Sequence, residues 1–232
     1  MKLKLVYKKQ EATGTYSFFF EPQDEVSWEP GQYYYYTLPK LNYPDTRGST
    51  RHLTIASSPT EGNLLMLTTR IREQSGFKKT LNELPLNSIV DGEGPEGTFI
   101  FDGKEPGPHI FLAGGIGITL FRCFLKYNIA KKLNSEIYLI FSNSDSEFVF
   151  GTELKEFAQD NKNIKIEFFD TSKQGHIDQP KILEILKKWN LDPLKSTWWL
   201  TGPPAFVSAM EDLLSQTKVN SSHIRTEKFT GY

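Results

Sequence analysis

The sequence predicts two fold classes in series: a Greek-key antiparallel β-barrel over roughly the first hundred residues, then an α/β domain built on a parallel sheet. Three features carry this expectation. Short β-rich runs recur up to residue 93 with turn residues between them, as in small barrels. A loop rich in Gly and Pro at 102–108 ends that rhythm, and strand-length apolar runs then alternate with helical ones. The first of those strands ends in Gly114, Gly115, Ile116 and Gly117, a turn that opens directly into a helical run.

Residues 1–7 alternate polar and apolar side chains, the period of a half-buried strand. Further strands are expected at 15–20, 32–38, 51–55, 64–71 and 89–93, punctuated by Pro30 and Gly31, Pro39, Pro44 and Asp45, Gly62 and Asn63, and Gly94 and Pro95. One helical stretch, 77–84, interrupts them and suits a cover over one barrel end. In the second half, strands are expected at 109–113, 136–142, 164–169 and 197–200, with helices at 118–132, 151–161, 178–189 and 204–216. Tyr33, Tyr34, Tyr35 and Tyr36 point alternately to two faces of a strand, and Trp198 with Trp199 belongs to a buried one. The domain boundary is placed between residues 103 and 104, giving domains 1–103 and 104–232.

Composition sets bounds on function. Lys plus Arg number 27 against 28 for Asp plus Glu, which leaves no basic stripe for nucleic acid. The single cysteine, Cys123, sits in an apolar helical run, reads as an inert buried thiol, and does not supply the four thiolates of an iron–sulfur cluster. His52, His109, His176 and His223 are dispersed without metal-ligand spacing, so no metal is expected. The apolar stretch at 110–124 is too short to span a bilayer, and residues 1–7 lack the apolar core of a signal peptide. A cytoplasmic protein without membrane insertion is expected.

Two segments offer chemistry. In Arg51, His52, Leu53, Thr54, Ile55, Ala56 and Ser57, a strand end presents a guanidinium whose planar fork meets two phosphate oxygens at once, with a hydroxyl three residues on. Arg51 is thus a candidate for neutralising a pyrophosphate, and Thr54 for donating to N5 of a flavin. The glycine turn, with Thr119 just beyond it, lets a dinucleotide approach the backbone and set its phosphates at a helix start. Thr201, Gly202, Pro203 and Pro204 form a second turn after a later strand, consistent with a ligand outside the carboxyl ends of parallel strands.

With Trp28-Glu29-Pro30-Gly31-Gln32-Tyr33 before them, Ser75-Gly76-Phe77-Lys78-Lys79-Thr80-Leu81 and Gly94-Pro95-Glu96-Gly97-Thr98-Phe99 between them, these segments resemble the ferredoxin–NADP reductase superfamily of FAD-containing reductases. The resemblance runs to the last residue. It implies an FAD-binding barrel, an NAD(P)-binding α/β domain, hydride transfer from NAD(P)H to FAD N5, and electron delivery to a separate acceptor protein such as a ferredoxin, flavodoxin or haem protein. It makes Arg51, His52, Leu53, Thr54, Thr69 and Arg70 flavin contacts, with Gly76, Phe77, Lys78 and Thr80 at a helix start that meets the pyrophosphate. It assigns the nucleotide to the two turns, with Ser142 and Asn143 near the adenosine ribose. In the tail, it gives Glu227 as a carboxylate close to the reacting atoms and Phe229 as the ring covering the flavin, with Tyr232 second.

The chain departs from the family pattern at four positions. Leu53 stands where Tyr is frequent, Thr201 where Cys is frequent, Leu120 where Pro follows the glycine turn, and Thr54 where Ser is usual. None removes the chemistry. The absence of Arg in Ser142-Asn143-Ser144-Asp145-Ser146, with Asp145 opposing a 2′-phosphate and Lys173 able to offset it, leans the cofactor towards NADH. Rival readings are a reductase of free flavin or ferric chelates, and a regulatory subunit that binds flavin or dinucleotide without turnover.

Overall fold

The structure, a computed structural model, describes residues 1–230. Contacts divide the chain into two compact units, residues 1–101 with 122–131, and residues 102–121 with 132–232.

The first unit carries β1 (Lys2–Ala12), β2 (Thr15–Pro22), β3 (Tyr33–Thr37), β4 (Thr50–Thr54), β5 (Leu65–Arg70), α1 (Gly76–Glu83) and β6 (Ile89–Glu96). All six strands pair antiparallel in the order β4-β3-β6-β1-β2-β5. Beyond β4, the Ala56 amide donates to the Met66 carbonyl of β5 at 2.6 Å, which turns the two sheet edges towards each other in a barrel-like, Greek-key arrangement. Period-2 alternation explains the core: Leu3, Leu5, Phe18, Phe20, Tyr34 and Tyr36 point inward together with Phe77 and Leu81 of α1. On β4 the same alternation buries Arg51 and Leu53 and exposes His52.

The second unit carries β7 (His109–Gly114), β8 (Ile137–Asn143), α3 (Gly151–Asp160), β9 (Ile164–Asp170), α4 (Thr171–Gln174), α5 (Gln179–Trp189), β10 (Thr197–Gly202), α6 (Pro204–Gln216) and β11 (Ile224–Lys228). The strands form one parallel sheet in the order β11-β10-β7-β8-β9. One face buries Ile110, Leu112, Ile140, Trp198 and Leu200 against α5 and α6. On the other, Phe111 stacks on Phe121 at 4.5 Å. Because β8 and β10 flank β7 on opposite sides, strand order reverses there, and the crevice at such a switch point is the usual ligand position of open parallel sheets.

The helix α2 (Ile118–Ala130) begins in the second unit, yet from Arg122 onward it belongs to the first. The cause lies in its side chains. Phe124 stacks on Phe101 at 5.2 Å and on Phe99 at 5.9 Å, and Arg122 holds Glu61 through two bonds of 2.8 and 2.9 Å. The units thus divide at Phe101 and Asp102, two residues before the expected boundary, and 122–131 cross over to the barrel. β11 and α4 were not anticipated by the sequence pattern. No helix among the described residues is long and apolar enough to cross a membrane.

Candidate functional site

On the barrel unit, the structure brings Arg51, Gly76, Phe77 and Lys78 to the start of α1. The Arg51 side chain is 7% exposed, and its guanidinium carbon lies 5.2 Å from the centre of the Phe77 ring. One terminal nitrogen, Nη1, donates to the carbonyls of Arg47 and Gly48 at 3.0 Å and of Thr50 at 2.7 Å. The other, Nη2, pairs with Asp45. That carboxylate also accepts from the Phe77 amide at 2.9 Å, the Arg47 amide at 3.0 Å and Ser75 Oγ at 3.3 Å. Ser75 in turn caps α1 by accepting from the Lys78 amide.

The electrostatics match this geometry. Burial works to raise the pKa of Asp45, but the Phe77 and Arg47 amides and the Arg51 guanidinium outweigh it and hold the group at about 2. Lys78, nearly fully buried, is lowered to about 7 by burial and then by the charges of Arg72, Arg51 and Arg47. The start of α1 gathers Arg47, Arg51, Arg72 and Lys78 around one carboxylate, and helix-start N–H groups beside arginines favour an anion. Its donors fit the phosphates of a flavin nucleotide. Thr80, one turn on, accepts from the Asn42 amide at 2.9 Å and pins the incoming loop.

The remaining barrel candidates are placed differently. Thr54, at the end of β4, is half-buried and lies opposite Tyr33 in register; His52 lies beside Tyr33 and Tyr35, with ring centres at 5.2 and 5.7 Å. Burial, then the nearby Arg47, lowers the pKa of His52. Arg51 and Thr54 therefore do not share a face, and they address different parts of an extended ligand. Leu53 packs into the barrel core. Thr69 is fully buried with no hydrogen-bond partner for its hydroxyl, and Arg70 ends β5 half-buried. The segment after Thr54 is held by residues the sequence reading did not single out: Arg122 donates to the Ala56 carbonyl at 2.9 Å, and Glu61 accepts from the Ser58 amide at 2.7 Å.

On the parallel-sheet unit, the two expected turns meet. Gly115 to Gly117 form a single 3-10 turn between β7 and α2, and Pro203 and Pro204 open α6 after β10. A Cβ on Gly117 would lie 2.5 Å from the Thr201 carbonyl oxygen, and one on Gly114 would lie 2.6 Å from the Phe206 ring. A Cβ on Gly202 would lie 2.9 Å from the Gly114 carbonyl oxygen. Gly117 and Gly202 let two backbones pack together, and Gly114 admits the Phe206 ring. Gly115, at φ +53°, has nothing within 4 Å of the same position and presents bare backbone. The hydroxyl of Thr201 donates to the Gly117 carbonyl at 2.9 Å, and that of Thr119 to the Ile116 carbonyl at 3.0 Å, so both brace the turn.

At the end of β8, Ser142 and Asn143 are buried. The Asn143 amide donates to Asp145 Oδ1 at 2.9 Å, which also accepts from the Glu147 amide at 2.9 Å. Lys173 pairs with Asp170 at 3.3 Å. In the tail, Glu227 lies on β11 opposite Thr201, and burial pushes its carboxyl above the usual range. Phe229 is buried, and its amide donates to the Gly202 carbonyl at 2.9 Å. Tyr232 lies outside the described residues.

The chain thus joins an antiparallel barrel-like unit with a cationic helix start to a parallel sheet with paired glycine turns at its switch point. Residues 111–212 match the oxidoreductase NAD-binding domain family. The chain is 24% identical over 228 residues to an NADPH oxidoreductase of Mycobacterium tuberculosis, covering 95% of this chain and 58% of that protein. It is 24% identical over 235 residues to a probable flavin reductase of Photobacterium leiognathi, covering 96% of each. The solved FAD/NAD-binding domain of a nitric oxide dioxygenase from Vibrio cholerae O1 biovar El Tor superposes with a TM-score of 0.82 at 18% identity, covering 98% of both chains. The whole chain thus shares the fold of that FAD/NAD-binding domain, and its second half matches the oxidoreductase NAD-binding domain family. It spans about 58% of the length of the M. tuberculosis relative and of a flavohemoprotein from Oceanobacillus iheyensis that it also matches.

Proposed function

We infer that the chain is an FAD-using NAD(P)H oxidoreductase that passes electrons to a separate acceptor, for which a ferredoxin, flavodoxin or haem protein would serve. The observation that carries the reading is the presence in one chain of two anion-binding elements of different design: the cationic start of α1 and the glycine turn after β7. The first suits the phosphates of a flavin nucleotide, and the second suits those of a nicotinamide dinucleotide. When bound, the flavin supplies a hydride acceptor and a store from which electrons leave singly or in pairs. The protein's part is to orient and to hydrogen-bond. In this reading Arg51, Lys78 and the Phe77 amide hold phosphate, and Gly115 gives the dinucleotide its backbone contact. Thr54 donates to the flavin ring edge, Phe229 covers the ring, and the raised pKa of Glu227 suits it to hold a proton near the reacting atoms.

Purified chain supplied with FAD should oxidise NADH or NADPH with ferricyanide, and a panel of acceptor proteins should then rank the physiological one. Absence of NAD(P)H oxidation with every acceptor would favour a regulatory binding subunit instead. Thr54→Val keeps the side-chain shape and removes the donor, so flavin reduction in stopped flow should slow while flavin stays bound. An unchanged rate would remove Thr54 from the reaction.

A second enzyme reading, reduction of free flavin without a protein acceptor, is favoured by one specific observation: the Asp45 carboxylate already engages the donors at the start of α1.

A further inference from the structure

We propose that Asp45 is a built-in competitor for the phosphates of the flavin, a resident anion that sets how firmly the phosphate-bearing part of the ligand is held. This rests on the flavin reading above and deepens it. Of the two terminal nitrogens of Arg51, one serves three backbone carbonyls and the other serves Asp45. The amide of Phe77, at the first turn of α1, also donates to Asp45, as does Ser75 Oγ. A phosphate arriving at the helix start needs these same donors, and two anions do not share them without strong repulsion.

An independent observation shows that the loop carrying Asp45 is fitted to this place. A Cβ on Gly76 would lie 2.4 Å from the Pro44 carbonyl oxygen and 2.5 Å from that of Tyr43. The bare backbone at Gly76 therefore admits residues 43–45 of the chain itself to the helix start. The Thr80 hydroxyl, accepting from the Asn42 amide, holds the same loop from the next turn. With a pKa of about 2, Asp45 stays ionised at every pH where the protein would be used. The cations around it, Arg47, Arg51, Arg72 and Lys78, outnumber it, so the element retains an attraction for anions that the carboxylate offsets only in part.

The consequence is a flavin held more by its ring than by its phosphates, and hence exchangeable. Titration of the full chain with riboflavin, FMN and FAD, followed by fluorescence, tests this. In the wild type, FAD should bind less than tenfold more tightly than riboflavin. In Asp45→Asn, which keeps an acceptor oxygen for the Phe77 amide but removes the charge, the FAD-to-riboflavin affinity ratio should rise at least tenfold, with riboflavin itself unchanged within twofold. Inorganic pyrophosphate should raise the thermal midpoint of that variant more than that of the wild type. Asp45→Ser provides a second neutral variant, and Asp45→Glu, which keeps the charge, should leave the ratio near the wild-type value. A wild-type preference for FAD above tenfold, or an unmoved ratio in a folded neutral variant, overturns the proposal while leaving the flavin reading standing. Failure of all three flavins to bind would overturn the flavin reading, and this inference with it.

Discussion

The two sites proposed to hold phosphate are built by opposite means. At the start of α1, charge and side chains do the work: Arg51 and Lys78 are buried, and hydrogen bonds fix Arg51 and the Asp45 beside it. At the turn after β7 there is no charged side chain at all. Backbone packing and the absence of Cβ atoms make the site, with Gly117 against Thr201 and Gly115 left open. An electrostatic site is graded: it responds to pH, to salt and to single charges. A steric one is close to all-or-none. Substitutions that separate these behaviours test the comparison.

The largest effect is expected at Arg51. Arg51→Ala leaves the Asp45 carboxylate, 5% exposed, without its cation, and breaking a buried ion pair on one side costs about 3–5 kcal/mol. The retained bonds from the Phe77 and Arg47 amides place the outcome at the lower end. Chemical denaturation should report that loss in the barrel unit. FAD binding should also fall relative to riboflavin, erasing a wild-type preference of less than tenfold, about 1.4 kcal/mol at most. A variant with wild-type stability would show that the Arg51–Asp45 pair is not structural.

The steric site should behave differently. Gly117→Val sets side-chain atoms against the Thr201 backbone, and overpacking of this kind costs about 1–3 kcal/mol, measurable by thermal unfolding. Gly115→Ala meets nothing within 4 Å and should lose only about 1 kcal/mol from its left-handed φ. Yet it should weaken NAD(P)H binding more than any other change of one methyl group, because the new Cβ stands on the open side. Equal stability losses in the two variants, or unchanged NAD(P)H affinity in Gly115→Ala, would break the distinction.

The graded site carries a pH signature. Lys78 falls from the ordinary lysine value of 10.5 to about 7 in the folded chain, so between those values the folded protein has released a proton that the unfolded chain keeps. Its contribution to stability is full above 10.5 and is lost as pH falls towards about 7. A phosphate bound beside it restores the charge, so FAD binding near pH 8.5 should take up a proton while riboflavin binding should not. Calorimetry in buffers of different ionisation enthalpy reads the difference directly, and Lys78→Met should abolish it. Proton uptake equal for both flavins would place the phosphate away from Lys78.

How much of this was legible beforehand follows from which forces leave a local trace. The period-2 runs of the barrel and the apolar strands of the parallel sheet announce themselves, because burial on a regular backbone writes its period into the sequence. Arg51 and the glycine turns were legible as residue types in a pattern. Asp45 was read only as a turn breaker beside Pro44, since its role depends on Arg51, Ser75 and Phe77 arriving from elsewhere in the chain. The Arg122–Glu61 clamp, 61 residues apart in sequence, left no local signal either. β11 escaped because residues 224–228 are half-buried along an edge and lack a clean alternation. That Arg51 and Thr54 lie on different faces follows from the strand itself, because a spacing of three crosses from one face to the other.

The smallest effect concerns the choice between NADH and NADPH, and it sets a graded charge beside the otherwise steric nucleotide site. Asp145 stands just beyond β8, its carboxylate fixed by the Asn143 side chain and the Glu147 amide, so its negative charge is held rather than free to swing away. Lys173, the cation that could offset it, is engaged with Asp170 at 3.3 Å instead. Like charges about 4 Å apart repel by roughly 1–4 kcal/mol between bulk water and a protein surface, and the exposure of this loop favours the lower figure. NADH should therefore be preferred. Asp145→Asn preserves the acceptor oxygen for Asn143 and Glu147 while removing the charge, and the ratio of kcat/KM for NADPH to that for NADH should rise about three- to tenfold, as expected for about 1 kcal/mol. Measured with ferricyanide as acceptor, an unmoved ratio would mean that the 2′-phosphate lies beyond the reach of Asp145. A wild-type enzyme at least tenfold more efficient with NADPH would mean that Ser142, Ser144 and Ser146 outweigh it.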